Sequence, residues 1–131
     1  MGDVSMHEDL KQEFEMAQVR HLLFKSKLRS ALYGSGTAEA PIRDAQVCAL
    51  GVWIRERALV AYAHLPESRE LDKAHQQIHK EASRLLDLRQ TGQVEQAIAG
   101  LSSVQGYVDE IARLLRTMEQ KLRAESPGLG R

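Results

Sequence analysis

Along residues 5–33 the apolar positions are Leu10, Phe14, Ala17, Phe24, Leu28 and Ala31. Their steps of four, three, seven, four and three trace one helix face with a heptad flavour, and His21 fills the gap of seven on the same stripe. Gly34-Ser35-Gly36-Thr37 then breaks the helix, and Pro41 helps reset the chain. A second segment begins between Pro41 and Asp44. It carries Val47, Cys48, Leu50, Val52, Trp53 and Ile54, apolar nearly all round, which predicts a deeply placed helix. Gly51 in its middle reads either as a modest propensity cost or as the close approach of a neighbouring group. Arg55-Glu56-Arg57 reads as a solvated face. Residues 58–65 fit a continued helix or a packed connector equally well. Pro66, with Glu67 and Glu70, starts a third helix whose stripe is Leu71, His75, Ile78, Ala82 and Leu85, ended by Thr91-Gly92. The last segment, residues 93–124, keeps a stripe of Val94, Ile98, Leu101, Val108, Ile111, Leu115, Met118 and Leu122, weakened locally at Gly100 and Gly106. With no alternating strand pattern, this predicts an all-α fold: an antiparallel four-helix bundle over residues 1–125, followed by a loose tail at 126–131.

Composition narrows the function. The chain has 131 residues, 43% apolar and 27% charged, which suits one ordinary globular domain and not a disordered chain. Its 18 Lys+Arg balance 18 Asp+Glu, so no net charge attracts nucleic acid or an anionic membrane. Aromatics at 5% are too few for a base-stacking platform. No apolar run reaches the roughly 18 residues of a membrane span. The opening residues, Met1-Gly2-Asp3-Val4-Ser5-Met6-His7-Glu8-Asp9, are acidic and polar, unlike a signal peptide, so a cytoplasmic protein is expected. The single cysteine, Cys48, excludes an intrachain disulfide and is a packing residue, a ligand or a reactive thiol.

The candidate chemistry lies in the histidines. His75 and His79 stand at i and i+4, about 40° apart around a helix and one turn displaced, so both rings can reach one ion. Gln76 stands where a zinc protease of this pattern needs its glutamate base, which argues against proteolysis. Taken alone, His21 reads as a core histidine bonded to a carbonyl, and Cys48 as a small buried hydrophobe. Both His21–Cys48 and Cys48–His75 are separated by 27 positions, so one helix can finish and the next return within each interval. All four groups can then meet at one level of the bundle. One thiolate and three imidazoles suit tetrahedral Zn²⁺, and four protein ligands leave no open position, as in structural or sensory sites.

Three ordered blocks carry a resemblance. Cys48-Ala49-Leu50-Gly51-Val52-Trp53-Ile54 resembles the CxLGxW(I/L) signature of the chemoreceptor zinc-binding domains. His21-Leu22-Leu23-Phe24-Lys25-Ser26-Lys27-Leu28 resembles their HxxFKxxL block, and Leu65-Pro66 followed by His75 and His79 resembles their third-helix block. The likeness runs over about residues 14–90. It implies a four-helix module of bacterial chemoreceptors and diguanylate cyclases, binding one zinc per chain through His21, Cys48, His75 and His79. It further implies homodimers, zinc-dependent regulation and, in some members, a response to oxidants such as hypochlorous acid. The 131 residues hold no transducer bundle or cyclase domain, so a stand-alone member or an excised domain is expected.

The leading expectation is a non-catalytic switch that responds to zinc or to oxidation of Cys48. Its moving part is the second helix and its connector, and its output goes to a partner or an attached signalling protein. The alternative is a permanently zinc-stapled dimerisation or interaction module. A hydrolase ranks third, because the coordination sphere is closed. Gly51 and Trp53 are expected to pack beside the site. His7 and His64 are not read as ligands, and Met1, Met6, Met16 and Met118 form no copper-like cluster.

Overall fold

The structure is a computed structural model and describes residues 2–34 and 36–125, with side chains from His7 onward. The tail expected at 126–131 lies outside the described residues. Helix α1, Gly2–Leu32, buries the face that its periodicity marks: Phe14, Ala17, His21, Phe24, Leu28 and Ala31 are all buried. Gly34 and Gly36 follow at φ +80° and +76°, a conformation that glycine adopts without strain. Arg89 Nε donates to Leu32 O at 3.1 Å, satisfying a carbonyl that the helix end leaves without a partner.

The second segment differs from the continuous helix expected of it. It divides into α2 (Ala40–Arg43), a turn, α3 (Ala49–Trp53) and a π-helical turn (Ile54–Ala58). The cause is local. Asp44 Oδ1 accepts the Gln46 amide at 2.8 Å, an Asx-type turn that competes with helical pairing. Cys48 is extended, with φ −65° and ψ 135°, and forms the N-cap of α3. Leu59 N donates to Ile54 O at 2.9 Å, the five-residue step of a π-turn. Residues 59–64 then proceed as turns, so the undecided stretch is a packed connector and not a longer helix.

Helix α4, Pro66–Gln90, starts at its proline as expected. The last segment is two helices, α5 (Val94–Ala99) and α6 (Leu101–Glu125). The break falls at Gly100, where a Cβ would stand 2.2 Å from Leu85 Cδ2, so the bare backbone lets the chain cross α4 closely without moving that buried side chain. Gly106, by contrast, sits within α6 with nothing near its missing Cβ.

Among the described residues there is no strand, and no helix is long and apolar enough to cross a membrane. Packing directions follow from the contacts. Gln18 Nε2 reaches Ala112 O at 3.0 Å and His21 Nε2 reaches Val108 O at 2.8 Å, so α1 and α6 run in opposite senses. Lys121 on Glu67 (2.7 Å) and Ser103 on Glu81 (2.6 Å) give α4 and α6 the same opposition. Leu28, Leu32, Ile42, Leu71, Ile78, Leu85, Ile111 and Leu115 are fully buried between these elements. Burial of such side chains supplies about 1.5–3 kcal/mol each against chain entropy.

Candidate metal centre

The α4 stripe carries His75 and His79 into this interior, where they are only 3% and 2% exposed. An imidazole held that far from water needs a partner for each ring nitrogen. His79 Nδ1 lies 2.6 Å from Ile42 O, and because a carbonyl only accepts, Nδ1 carries the proton. Its Nε2 lone pair is thereby turned toward His75, whose own Nε2 is 3.0 Å away. The two rings meet edge-on with centroids 4.5 Å apart, and Phe24 covers His79 at 4.6 Å.

Cys48 completes a close group. The ligand atoms of Cys48, His75 and His79 all lie within 4.8 Å of one another, and all three residues are buried. The position of Cys48 at the head of α3 follows from the Asp44 turn, which ends one short helix and starts the next above α4. Gly51 gives this placement its clearance. A Cβ there would stand 1.9 Å from Ala45 O and 3.0 Å from His75 Cε1, so the short helix approaches the ring only because the side chain is missing.

His21 stands outside that three-residue group. It is 1% exposed, and its Nε2 donates to Val108 O at 2.8 Å. The proton is therefore on Nε2, and the lone pair is on Nδ1. A proton on His21 would oppose one on His75. The carbonyl-bonded core histidine and the zinc ligand considered for His21 are thus compatible, since ligating histidines commonly donate their other N–H to a backbone carbonyl.

The electrostatics favour neutral rings. Burial pushes His75 down to about 3, with the neighbouring His79, His21 and Arg55 adding to the effect. Burial also lowers His21 and His79, against the opposing pull of the Val108 and Ile42 carbonyls. Neutral imidazole is the form that binds metal. Two nitrogens 3.0 Å apart are close to the roughly 3.3 Å edge of a tetrahedral zinc site built on 2.0–2.1 Å bonds. One sulfur and two imidazole nitrogens form a donor set suited to zinc, so the residues present fit that ion.

Access to the centre is unequal. An open cleft of about 670 Å³ reaches His75 and His79 and is bordered by Arg43, Arg55, Lys80 and Arg84. Cys48 borders a small hollow of about 50 Å³, with Leu23, Phe24 and Lys27 in its wall.

A polar cluster centred on Glu13, which the sequence did not single out, ties α1 to the end of α3, the π-turn and the connector. Glu13 on α1 accepts Trp53 Nε1–H at 2.8 Å, Arg57 Nε–H at 2.8 Å and the Tyr62 hydroxyl. Phe14 packs edge-on against Trp53 at 5.3 Å. Arg57 therefore does more than face solvent. The partners are 40 to 49 residues apart, so no local spacing marks them. His64 pairs with Glu125 at 2.8 Å and is not part of the Cys48, His75 and His79 group.

Comparison with known proteins gives one finding. The family profile described as the chemoreceptor zinc-binding domain matches residues 21–86, a stretch that contains His21, Cys48, His75 and His79. Neither the curated proteins nor the solved structures provide a match.

Proposed function

The chain belongs to the chemoreceptor zinc-binding domain family, and from that premise we propose that it is a sensory or regulatory module holding one Zn²⁺ per chain through His21, Cys48, His75 and His79. The observation that carries this reading is the buried convergence of Cys48, His75 and His79 within 4.8 Å, inside the matched stretch. His21 is the fourth ligand through Nδ1, supported by its burial, its Val108 bond and its place in the matched stretch. The α2–α3 stretch takes the fourth place in an antiparallel bundle whose other members are α1, α4 and α6. Residues 1–125 form one domain, which works in the cytoplasm as a homodimer and passes its signal to a chemoreceptor or a diguanylate cyclase, attached or separate.

The residues divide the work. Carbonyls at Val108 and Ile42 hold the tautomers of His21 and His79. Gly51 lets α3 close over His75. Zinc held by these four residues would keep the Cys48 sulfur as a thiolate, and four protein ligands would leave no position for substrate, which favours a regulatory role over catalysis. The thiolate is also the form that oxidants attack. With hypochlorous acid, sulfur takes up the hydroxyl as chloride leaves, giving a sulfenic acid that is a poorer ligand. Loss of that ligand would free the head of α3, to which the π-turn and the connector are joined.

The test is metal content per chain on protein purified without a metal column, beside Cys48→Ala and His79→Ala. About one zinc in the parent and less in both variants is expected. A parent that stays metal-free in added zinc sinks the reading. For the oxidant response, a Cys48→Ser protein that changes conformation with hypochlorous acid as the parent does removes the redox role and leaves a zinc-stapled interaction module.

A further inference from the structure

The outer face of α1 is apolar where a solvated face is expected. Phe14, Ala17, His21, Phe24 and Leu28 enter the core. On the far side, roughly half a turn away, Met16, Val19, Leu22 and Leu23 are 48%, 47%, 58% and 51% exposed. Four large apolar side chains within two turns form a contiguous patch, unlike the singly scattered apolar residues of an ordinary surface.

The charges around this patch are divided by position. Residues 7–18 carry Glu8, Asp9, Glu13 and Glu15 against Lys11 alone. Glu13 is tied to Arg57, while Glu8, Asp9 and Glu15 are exposed. Residues 19–32 carry Arg20, Lys25, Lys27 and Arg29 and no acid. The helix is therefore acidic on one side of Val19 and basic on the other. Lys11 and Glu15 make the ion pair on this face, at 4.0 Å with both side chains more than half exposed, and such a pair is weak enough to exchange partners.

We propose that this face binds a second copy of the chain, with the two α1 helices crossing antiparallel about Val19. The acidic half of each then lies over the basic half of the other, and the patch of Met16, Val19, Leu22 and Leu23 closes on itself. An isologous twofold contact needs this self-complementarity, which a parallel pairing of the same helices lacks because it sets acid on acid and base on base. The proposal rests on the homodimer reading above and adds the face and the orientation. A two-turn apolar centre with a charged rim buries little, below about 1,200 Å² in total, so the dimer is weak and sensitive to salt.

The experiment is sedimentation of the zinc-loaded full chain over a range of concentrations at low and high salt. The parent should dimerise reversibly and less tightly at high salt. Val19→Asp sets two carboxylates face to face on the twofold axis and should weaken the dimer by about tenfold or more, with helicity and zinc content unchanged. Val19→Cys should form an intermolecular disulfide on mild oxidation. Gln12→Cys should not, because across an antiparallel pair its two copies stand about 21 Å apart. A dimer that survives Val19→Asp, or a Gln12→Cys protein that cross-links as readily as Val19→Cys, overturns this face and orientation while leaving the homodimer standing. A parent that stays monomeric at all concentrations overturns both. Loss of zinc from the parent sinks the metal reading and leaves this one to be judged by the sedimentation alone.

Discussion

At the scale of single residues, the candidate metal centre depends as much on an absent side chain as on the thiol and imidazoles that meet there. Gly51 is in right-handed helix, so glycine is not needed there for its backbone freedom. It is needed because a Cβ would press on Ala45 O at 1.9 Å, and a backbone atom yields less readily than a side-chain tip. Gly51→Ala should therefore destabilise the fold by about 2 kcal/mol. It should also lower zinc affinity about tenfold, because α3 and His75 are forced apart. Thermal unfolding and a chelator competition check the two effects. The residue-level chemistry was unevenly legible in the sequence. His75 and His79 announced themselves by a local spacing that helix geometry turns into adjacency. Cys48 had no such mark. The 27-residue intervals to His21 and His75 made it a candidate and the CxLGxW block singled it out, because its place is set by a turn and not by a repeating stripe. Glu13 was not found at all: it is one acid among several on α1, and its partners are far away in the sequence.

At the scale of elements, the helices with a clear stripe were predicted well and those without one were not. Helices α1 and α4 end where glycines and proline said they would. The second segment looked like one helix because its apolar residues surround the axis on all sides. The chain in fact bends at Asp44, where a side chain captures an amide, and widens into a π-turn at Ile54–Ala58. That turn is held by the Glu13 cluster, which fastens the end of α3 to α1 and so bears on Cys48 at its head. Glu13→Ala leaves the Trp53 indole N–H and the Tyr62 hydroxyl without their acceptor, at a cost of about 2 kcal/mol. Urea unfolding should show that loss, with zinc affinity falling in parallel. An unchanged zinc affinity would mean that α3 is positioned by its own packing.

At the scale of the whole molecule, three neutral imidazoles buried together make stability depend on pH. His21, His75 and His79 all have their protonation suppressed in the folded state, chiefly by burial. In the unfolded chain they titrate at the ordinary value of about 6.5. Between about 3, where folded His75 titrates, and about 6.5, the unfolded state therefore holds more protons. Stability is fully present above this window and is lost as pH falls through it. The metal-free protein should show this in denaturant titrations from neutral to acid pH. The zinc-loaded protein should show it more steeply, since protons compete with the ion for the same nitrogens.

The sequence by itself determined the helical class, the faces of α1, α4 and α6 and the pairing of His75 with His79. These follow from periodicities of a few residues, which local sterics translate directly into direction. The spacing of His21 and Cys48 from that pair suggested a zinc-like set of four donors, and the resemblance of three short blocks turned that suggestion into a definite expectation. Only the tertiary structure decided that Cys48 caps a short helix, that Gly51 and Gly100 mark close crossings and that Glu13 gathers Trp53, Arg57 and Tyr62. It alone also showed that the apolar outer face of α1 is uncovered. The Cys48 cap follows from a turn a few residues before it, which an all-round apolar pattern hides; the rest depend on atoms brought together from distant parts of the chain, and no local pattern encodes which distant partner a buried group will meet.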